Sequence, residues 1–158
     1  MEGNTDFDYT TISLFGLGKL GLCLAALYAK AGKKVIGVDI QQRVVDSVNV
    51  GIAPLVEPGL DALIGEVGGK NLVATTDATK AFSESMVSIV LTATPSLADG
   101  SFSNEQILNV LKTLAKAFRT HNKAYHLFVT PLSNFLLRRF GIDYALAIFM
   151  PKNSFKFF

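Results

Sequence analysis

Cysteine is nearly missing from this sequence of 158 residues: Cys23 is the only one. An internal disulfide is therefore excluded, and a thiolate metal site has no second ligand. The bland role left for Cys23 is a small helix residue packed against a sheet. Charge is scarce too, at 18% of residues with a formal net charge of +2, and the cations are scattered rather than gathered on one helix or loop. That leaves no electrostatic footprint for nucleic acid. Uninterrupted apolar runs long enough for a bilayer are also lacking, because Lys19, Lys30, Lys33 and Lys34 break up the richest region. The start, "MEGNTDFDYT", is polar and acidic where a secretory signal is basic and then apolar, so the expected location is cytoplasmic. No internal repeat, linker or low-complexity stretch stands out. His121 and His126 read as a helix-end residue and a strand residue, without the company of a metal site.

What the sequence has is apolar matter, 49% of its residues, in a length suited to one domain. Short β-rich runs alternate with helical patterns. "TTISLF" precedes Leu20, Cys23, Leu24, Leu27 and Tyr28 at helical spacing, Gly32 offers a C-terminal cap, and "KKVIGVD" is a continuous apolar strand. "QQRVVDSVNVG" predicts a helix ending near Gly51, and "EPGLDALIGEV" another with Pro58 in its first turn. "NLVATTD", "MVSIVLTAT" and "KAYHLFVT" are further strands, separated by the short helix "ATKAFSES" and the long amphipathic helix "SNEQILNVLKTLAKAFRT". Ser103 and Gln106 resemble a capping box for the latter. This alternation predicts an α/β fold: a Rossmann-like, doubly wound, mainly parallel sheet, ending after its fifth or sixth strand. Residues 1–130 form the expected domain; 131–158 read as an atypical tail, a truncated or altered continuation holding one short helix, one short strand and a basic aromatic end.

In "GLGKLG", Gly16, Gly18 and Gly21 carry the G-x-G-x-x-G spacing. The first glycine serves a tight turn, the second the close approach of a pyrophosphate, and the third the packing of helix on strand. Unpaired N–H groups and the positive helix end face the phosphates. The motif follows a strand, opens a helix, and is followed by a second strand ending at Asp39, the distance at which an acid meets the adenosine ribose. The alternative for Asp39 is a strand-end acid capping the next helix. A carboxylate there accepts from ribose hydroxyls and repels a 2′-phosphate, which favours NAD over NADP. Arg43 is the one nearby cation, either a cofactor contact or a solvated helix residue.

Four stretches in order, "FGLGKLGLCLAALYAKAGKKVIGVDI", "VDSVNVGIAPLVEPGLDALI", "NLVATTD" and "TATPSLADGSF", resemble the nucleotide-sugar 6-dehydrogenases, the UDP-glucose/GDP-mannose dehydrogenase family, from residue 12 to about 129. "TPSLADGS" is most similar to the branch acting on UDP-N-acetylhexosamines. The resemblance implies two successive NAD-dependent oxidations of a sugar C6 alcohol to a carboxylate, through a cysteine-bound thioester, with an amino-terminal domain that binds NAD. It assigns Gly16, Gly18 and Gly21 to the phosphate loop with Lys19 and Leu20 between them, Asp39 to the ribose, and Thr94 of the T-P motif to the cofactor. Glu57 and "ADGS" receive no chemistry, Glu57 reading as a helix N-terminal acid.

The departures from that family are as informative as the matches. A Lys or Arg follows the family's ribose acid at five places; here that position is Val44, with Arg43 one place early. After "HLFV" the family continues Lys-Ser-Thr and Pro-Gly-Thr, whereas this chain reads "TPLSNFLLRRFG", with Thr130 a partial substitute. Where the family has Asn-Pro-Glu-Phe-Leu, Met150-Pro151-Lys152-Asn153 stand, so its catalytic glutamates have no counterpart. Its catalytic cysteine, lysine and aspartate belong beyond residue 158, and Cys23 lies in the wrong helix to replace that cysteine. The expectation is a cofactor-binding domain without catalytic residues or a metal site, whose nucleotide sugar requires a further carboxyl-terminal domain. Homo-oligomerisation stays open. The alternatives are a nucleotide-binding module without chemistry and the NAD-binding domain of another Rossmann oxidoreductase.

Overall fold

The computed structural model describes residues 10–93, 95–100, 103, 105–120, 125–130 and 146–151. Its elements are β1 (Thr11–Phe15), α1 (Lys19–Lys30), β2 (Lys34–Val38), α2 (Gln42–Asn49), α3 (Leu60–Val67), β3 (Leu72–Thr75), α4 (Ala78–Ser83), β4 (Val87–Val90), α5 (Glu105–Thr120), β5 (Tyr125–Thr130) and β6 (Leu146–Pro151). The strands form one six-stranded sheet in the order β3-β2-β1-β4-β5-β6. All neighbours pair in parallel except β5 and β6, which run antiparallel with Tyr125 opposite Pro151 and Thr130 opposite Leu146. This is the doubly wound order with a reversed edge strand, a common variation on a parallel sheet. Chain order reverses between β1 and β4, and that switch point is where open α/β sheets take ligands.

Strand runs without alternation suit a sheet covered on both faces, and all four residues of β4 are buried. Over one face lie α1, α2 and α3, with Leu14, Leu22, Ala25, Val48, Ile64 and Leu72 in the core. Over the other lie α4 and α5, with Phe15, Val38, Phe82, Val90, Leu114 and Phe118. Phe82 and Phe118 meet edge to face, their ring centres 6.3 Å apart at 72°. Ser13 Oγ sits 2.7 Å from Ser88 Oγ and 2.8 Å from Ser85 Oγ, and Ser85 Oγ is 2.9 Å from the Ala81 carbonyl oxygen. All three serines are buried, so these contacts offset the desolvation of their hydroxyls.

Helix ends follow local chemistry. Gly32 adopts φ +85°, and the N–H groups of Gly32 and Lys33 return to the carbonyls of Ala29 and Tyr28, closing α1 in a Schellman turn. Asp77 caps α4 by accepting from the N–H of Lys80 at 2.9 Å. Ser103 Oγ accepts from the N–H of Glu105 at 3.4 Å at the start of α5.

Two sequence expectations need correction. Helix α3 starts at Leu60, after Gly59 in the left-handed region, so Pro58 precedes the helix instead of occupying its first turn. The buried face of α1 is Gly21, Leu22, Ala25, Ala26 and Ala29, whereas Leu20 and Leu27 are 66% and 57% exposed and Cys23 is half-buried. Small residues dominate that face beside Leu22, with Cys23, Leu24 and Tyr28 packed at its edge, and only Leu20 and Leu27 are turned outward.

Candidate cofactor site

The carboxyl end of β1 shows what each glycine does. Gly16 has φ +97°, its N–H bonds the Val38 carbonyl oxygen at 2.7 Å, and a Cβ there would lie 2.8 Å from the Leu91 carbonyl oxygen. A Cβ on Gly21 would overlap the Gly16 carbonyl oxygen, so only glycine allows α1 to start this close to the turn. At Gly18 the opposite holds: φ is −68° and no heavy atom lies within 4 Å of a Cβ. That opening is what an approaching phosphate needs. The first bond of α1 runs from Leu22 N–H to the Gly18 carbonyl at 2.8 Å, and Gly18 supplies no side-chain cap. The N–H groups of Lys19, Leu20 and Gly21 thus precede the first intrahelical donor, Leu22, at a helix end of the kind that suits an anion. Between the glycines, Leu17 is buried beneath the loop, with Gly37 of β2 leaving room for its side chain.

Asp39 ends β2 beside this loop. One carboxylate oxygen accepts from the N–H of Leu17 at 2.9 Å and the other from the N–H of Gln41, also at 2.9 Å. Asp39 thus holds the turn that leads into α2 without capping the helix itself, and it braces the glycine loop. Each oxygen keeps a lone pair for a ribose hydroxyl. Arg43 is exposed and donates from Nε to Gln41 Oε1 at 3.0 Å, while Ile40, 91% exposed, stands next to Asp39.

Lys19 Nζ reaches Glu57 Oε1 at 2.7 Å, with the lysine largely exposed and the glutamate mostly covered. The hydrogen bond to Glu57 and its negative charge raise the Lys19 pKa above the ordinary 10.5. Glu57 thus ties the connection before α3 to the first residue of α1, a role its sequence position before a helix concealed; the first-turn acid of α3 is Asp61. Across the switch point, Leu91 N–H bonds the Phe15 carbonyl oxygen at 2.7 Å, which holds the residues after β4 against the glycine loop. Thr92, which no local sequence pattern marks, sits there with a fully buried Oγ1 that lacks a hydrogen-bond partner. Thr94 and His121 lie outside the described residues. Among the described residues no group of three or more His, Cys, Asp or Glu is placed to hold a metal ion, and no helix is long and apolar enough to cross a membrane.

A parallel sheet in this order, a glycine turn leading into a helix N-terminus, and a braced acid at the end of the next strand define a dinucleotide-binding domain of the Rossmann class. The sequence profile of the UDP-glucose/GDP-mannose dehydrogenase family, NAD binding domain, matches residues 10–129. The chain belongs to that family and carries its NAD-binding domain. It is 38% identical over 116 residues to the GDP-mannose 6-dehydrogenase of Pseudomonas aeruginosa, covering 72% of this chain and 26% of that protein. Likeness to the NDP-N-acetyl-D-galactosaminuronic acid dehydrogenase of Ralstonia nicotianae reaches 45% over 78 residues, 49% of this chain and 18% of that one. Among solved structures, a ternary complex of the P. aeruginosa GDP-mannose dehydrogenase superposes with a TM-score of 0.72 at 37% identity, over 75% of this chain and 27% of that one. The chain spans about a quarter of the length of these GDP-mannose relatives.

Proposed function

We propose that NAD lies across the β1–β4 switch point with its pyrophosphate on the N–H groups after Gly18, its adenosine ribose on Asp39 and its adenine against the exposed Ile40. Gly16, Gly18, Lys19, Leu20, Gly21, Asp39 and Arg43 line this path, with Thr94 assigned by family resemblance. The observation that carries the reading is the Asp39 carboxylate, pinned at both oxygens beside an open Gly18. Such a carboxylate is already oriented for two ribose hydroxyls and repels a 2′-phosphate.

The whole protein of which this domain forms part oxidises the C6 alcohol of a nucleotide-diphosphate sugar. "TPSLADGS" favours an N-acetylated UDP-hexosamine, and the likeness to GDP-mannose enzymes favours a mannosyl substrate. In either case the chain supplies the cofactor shelf, and its single thiol, Cys23, is half-buried on α1 behind the loop and not placed to act as the nucleophile. Residues 131–158 continue the domain begun in 1–130, a reading supported by the pairing of β6 with β5 in the same sheet.

Titration calorimetry of the chain with NAD and NADP tests the cofactor assignment. NAD is expected to bind about tenfold or more tightly than NADP, a difference near 1.4 kcal/mol. Gly18→Val should fold normally and lose NAD, because the side chain fills the approach of the pyrophosphate. Equal or tighter NADP binding overturns the role of Asp39, and unchanged NAD binding by Gly18→Val overturns the role of the loop.

A further inference from the structure

We propose that Glu57 limits how tightly the dinucleotide is held, by competing with its pyrophosphate for the Lys19 ammonium; this rests on the reading that the glycine loop holds the pyrophosphate. Lys19 is the first residue of α1, and the first turn of that helix contains no acid. A cation there faces the positive end of the helix dipole, which disfavours it. The compensating negative charge comes from outside the helix: Glu57 Oε1 lies 2.7 Å from Lys19 Nζ.

The two partners are held unequally. Glu57 sits on a hydrogen-bonded turn, its carbonyl oxygen accepting from the N–H of the buried Leu60 at 3.1 Å, and its side chain is only 21% exposed. Lys19 carries its charge on a flexible stem, and its side chain is 76% exposed. The partner free to move is therefore the lysine. Side chains of a helix lean toward its N-terminus, so the Lys19 stem starts beside the open Gly18 and the N–H groups that precede the first intrahelical bond. A pyrophosphate on those groups brings a second anion within reach of the ammonium. When Lys19 moves to that ligand, the mostly covered carboxylate of Glu57 loses its counter-charge, and the cost opposes binding. The same cost favours return of the lysine when the cofactor leaves. An oxidoreductase that exchanges its cofactor at every turnover gains from such a limit, because release then stays fast.

The test uses the full chain carrying Glu57→Gln, which removes the charge at nearly constant shape, with Glu57→Ala as a second variant should glutamine not fold. Lys19→Met and the double variant complete a cycle. Calorimetry with NAD at about 20 mM and about 500 mM salt is read alongside thermal denaturation. Glu57→Gln is expected to bind NAD about three- to fivefold more tightly at low salt, while its melting temperature stays level or falls slightly. A residue that only supports the fold would weaken the ligand or leave it alone. The gain should shrink below about twofold at high salt, where the charges are screened, and equally in the Lys19→Met background, where no ammonium is contested. Unchanged or weaker NAD binding by the Glu57 variants overturns the proposal while leaving the loop assignment standing. An equal gain with and without Lys19 overturns it as well, because Glu57 would then act on the ligand directly. An original chain that binds no NAD overturns the loop assignment and this inference together.

Discussion

On the α1 side of the sheet the helix offers Gly21, Ala25, Ala26 and Ala29 to the strands, whereas on the α4 and α5 side Phe15, Phe82 and Phe118 fill the space around a cluster of three buried serines. At the start of α1 the first face is set by the glycine turn, where Gly21 lies against the Gly16 carbonyl, and beyond it Leu14, Leu22, Ile64 and Leu72 fill the core. The second is packed by large rings, with hydroxyl contacts fixing how β1 and β4 sit together. A nucleotide site needs the first kind of packing, because the N-terminus of α1 must start directly behind Gly16. The second face carries no such demand and supports the sheet from behind.

If that contrast is right, the largest loss comes from disturbing the close face. Gly21→Ala places a methyl on the Gly16 carbonyl oxygen, a contact that no side-chain rotation relieves, and is expected to remove about 3 kcal/mol of stability. Urea unfolding measures it, and an unmoved midpoint would mean that α1 can slide away from the turn. On the far face, Ser13→Ala removes the hydroxyl that contacts Ser85, Ser88 and the Val87 carbonyl and is expected to cost about 1 kcal/mol. A neutral result in the same assay would show that the remaining serines rearrange among themselves.

The smallest effect belongs to the Lys19–Glu57 pair, where solvent around the exposed lysine screens the attraction. Because the folded-state pKa of Lys19 is raised, the pair's contribution is complete below the ordinary value of 10.5 and is lost as pH climbs through the raised one. Glu57→Gln should therefore lower stability slightly at neutral pH, where the pair's contribution is complete, and flatten the decline above pH 10.5 until the two proteins converge. Denaturation midpoints collected across that range check it, and superimposable alkaline limbs for the two proteins would contradict the pairing.

These contrasts also mark where sequence reading succeeds and where it stops. Alternating strands and helices, the three glycines and Asp39 are all legible, because each rests on local periodicity or on spacing within one βαβ unit. The buried face of α1 is misread, since Leu20 and Leu27 outweigh alanines in any hydrophobicity pattern, yet the alanines are what the sheet accepts. Glu57, Thr92 and the serine cluster escape for another reason. Their meaning lies in contacts between residues far apart in the chain, as between Lys19 and Glu57 or Ser13 and Ser88. The reversed direction of β6 is equally a property of the assembled sheet and not of the run "ALAIFMP".

The double engagement of Asp39 bears on how coenzyme preference can change in this protein. A variant built to accept a 2′-phosphate would replace the acid with a small or basic residue, and the same change would strip Leu17 and Gln41 of the acceptor that holds their N–H groups. The residue proposed to read the adenosine half is thus also a structural brace for the glycine loop, so on that proposal a switch in coenzyme is a problem of loop redesign. A neutral side chain at position 39 succeeds only if it still offers an oxygen to Leu17, which makes asparagine or serine better starting points than glycine or arginine.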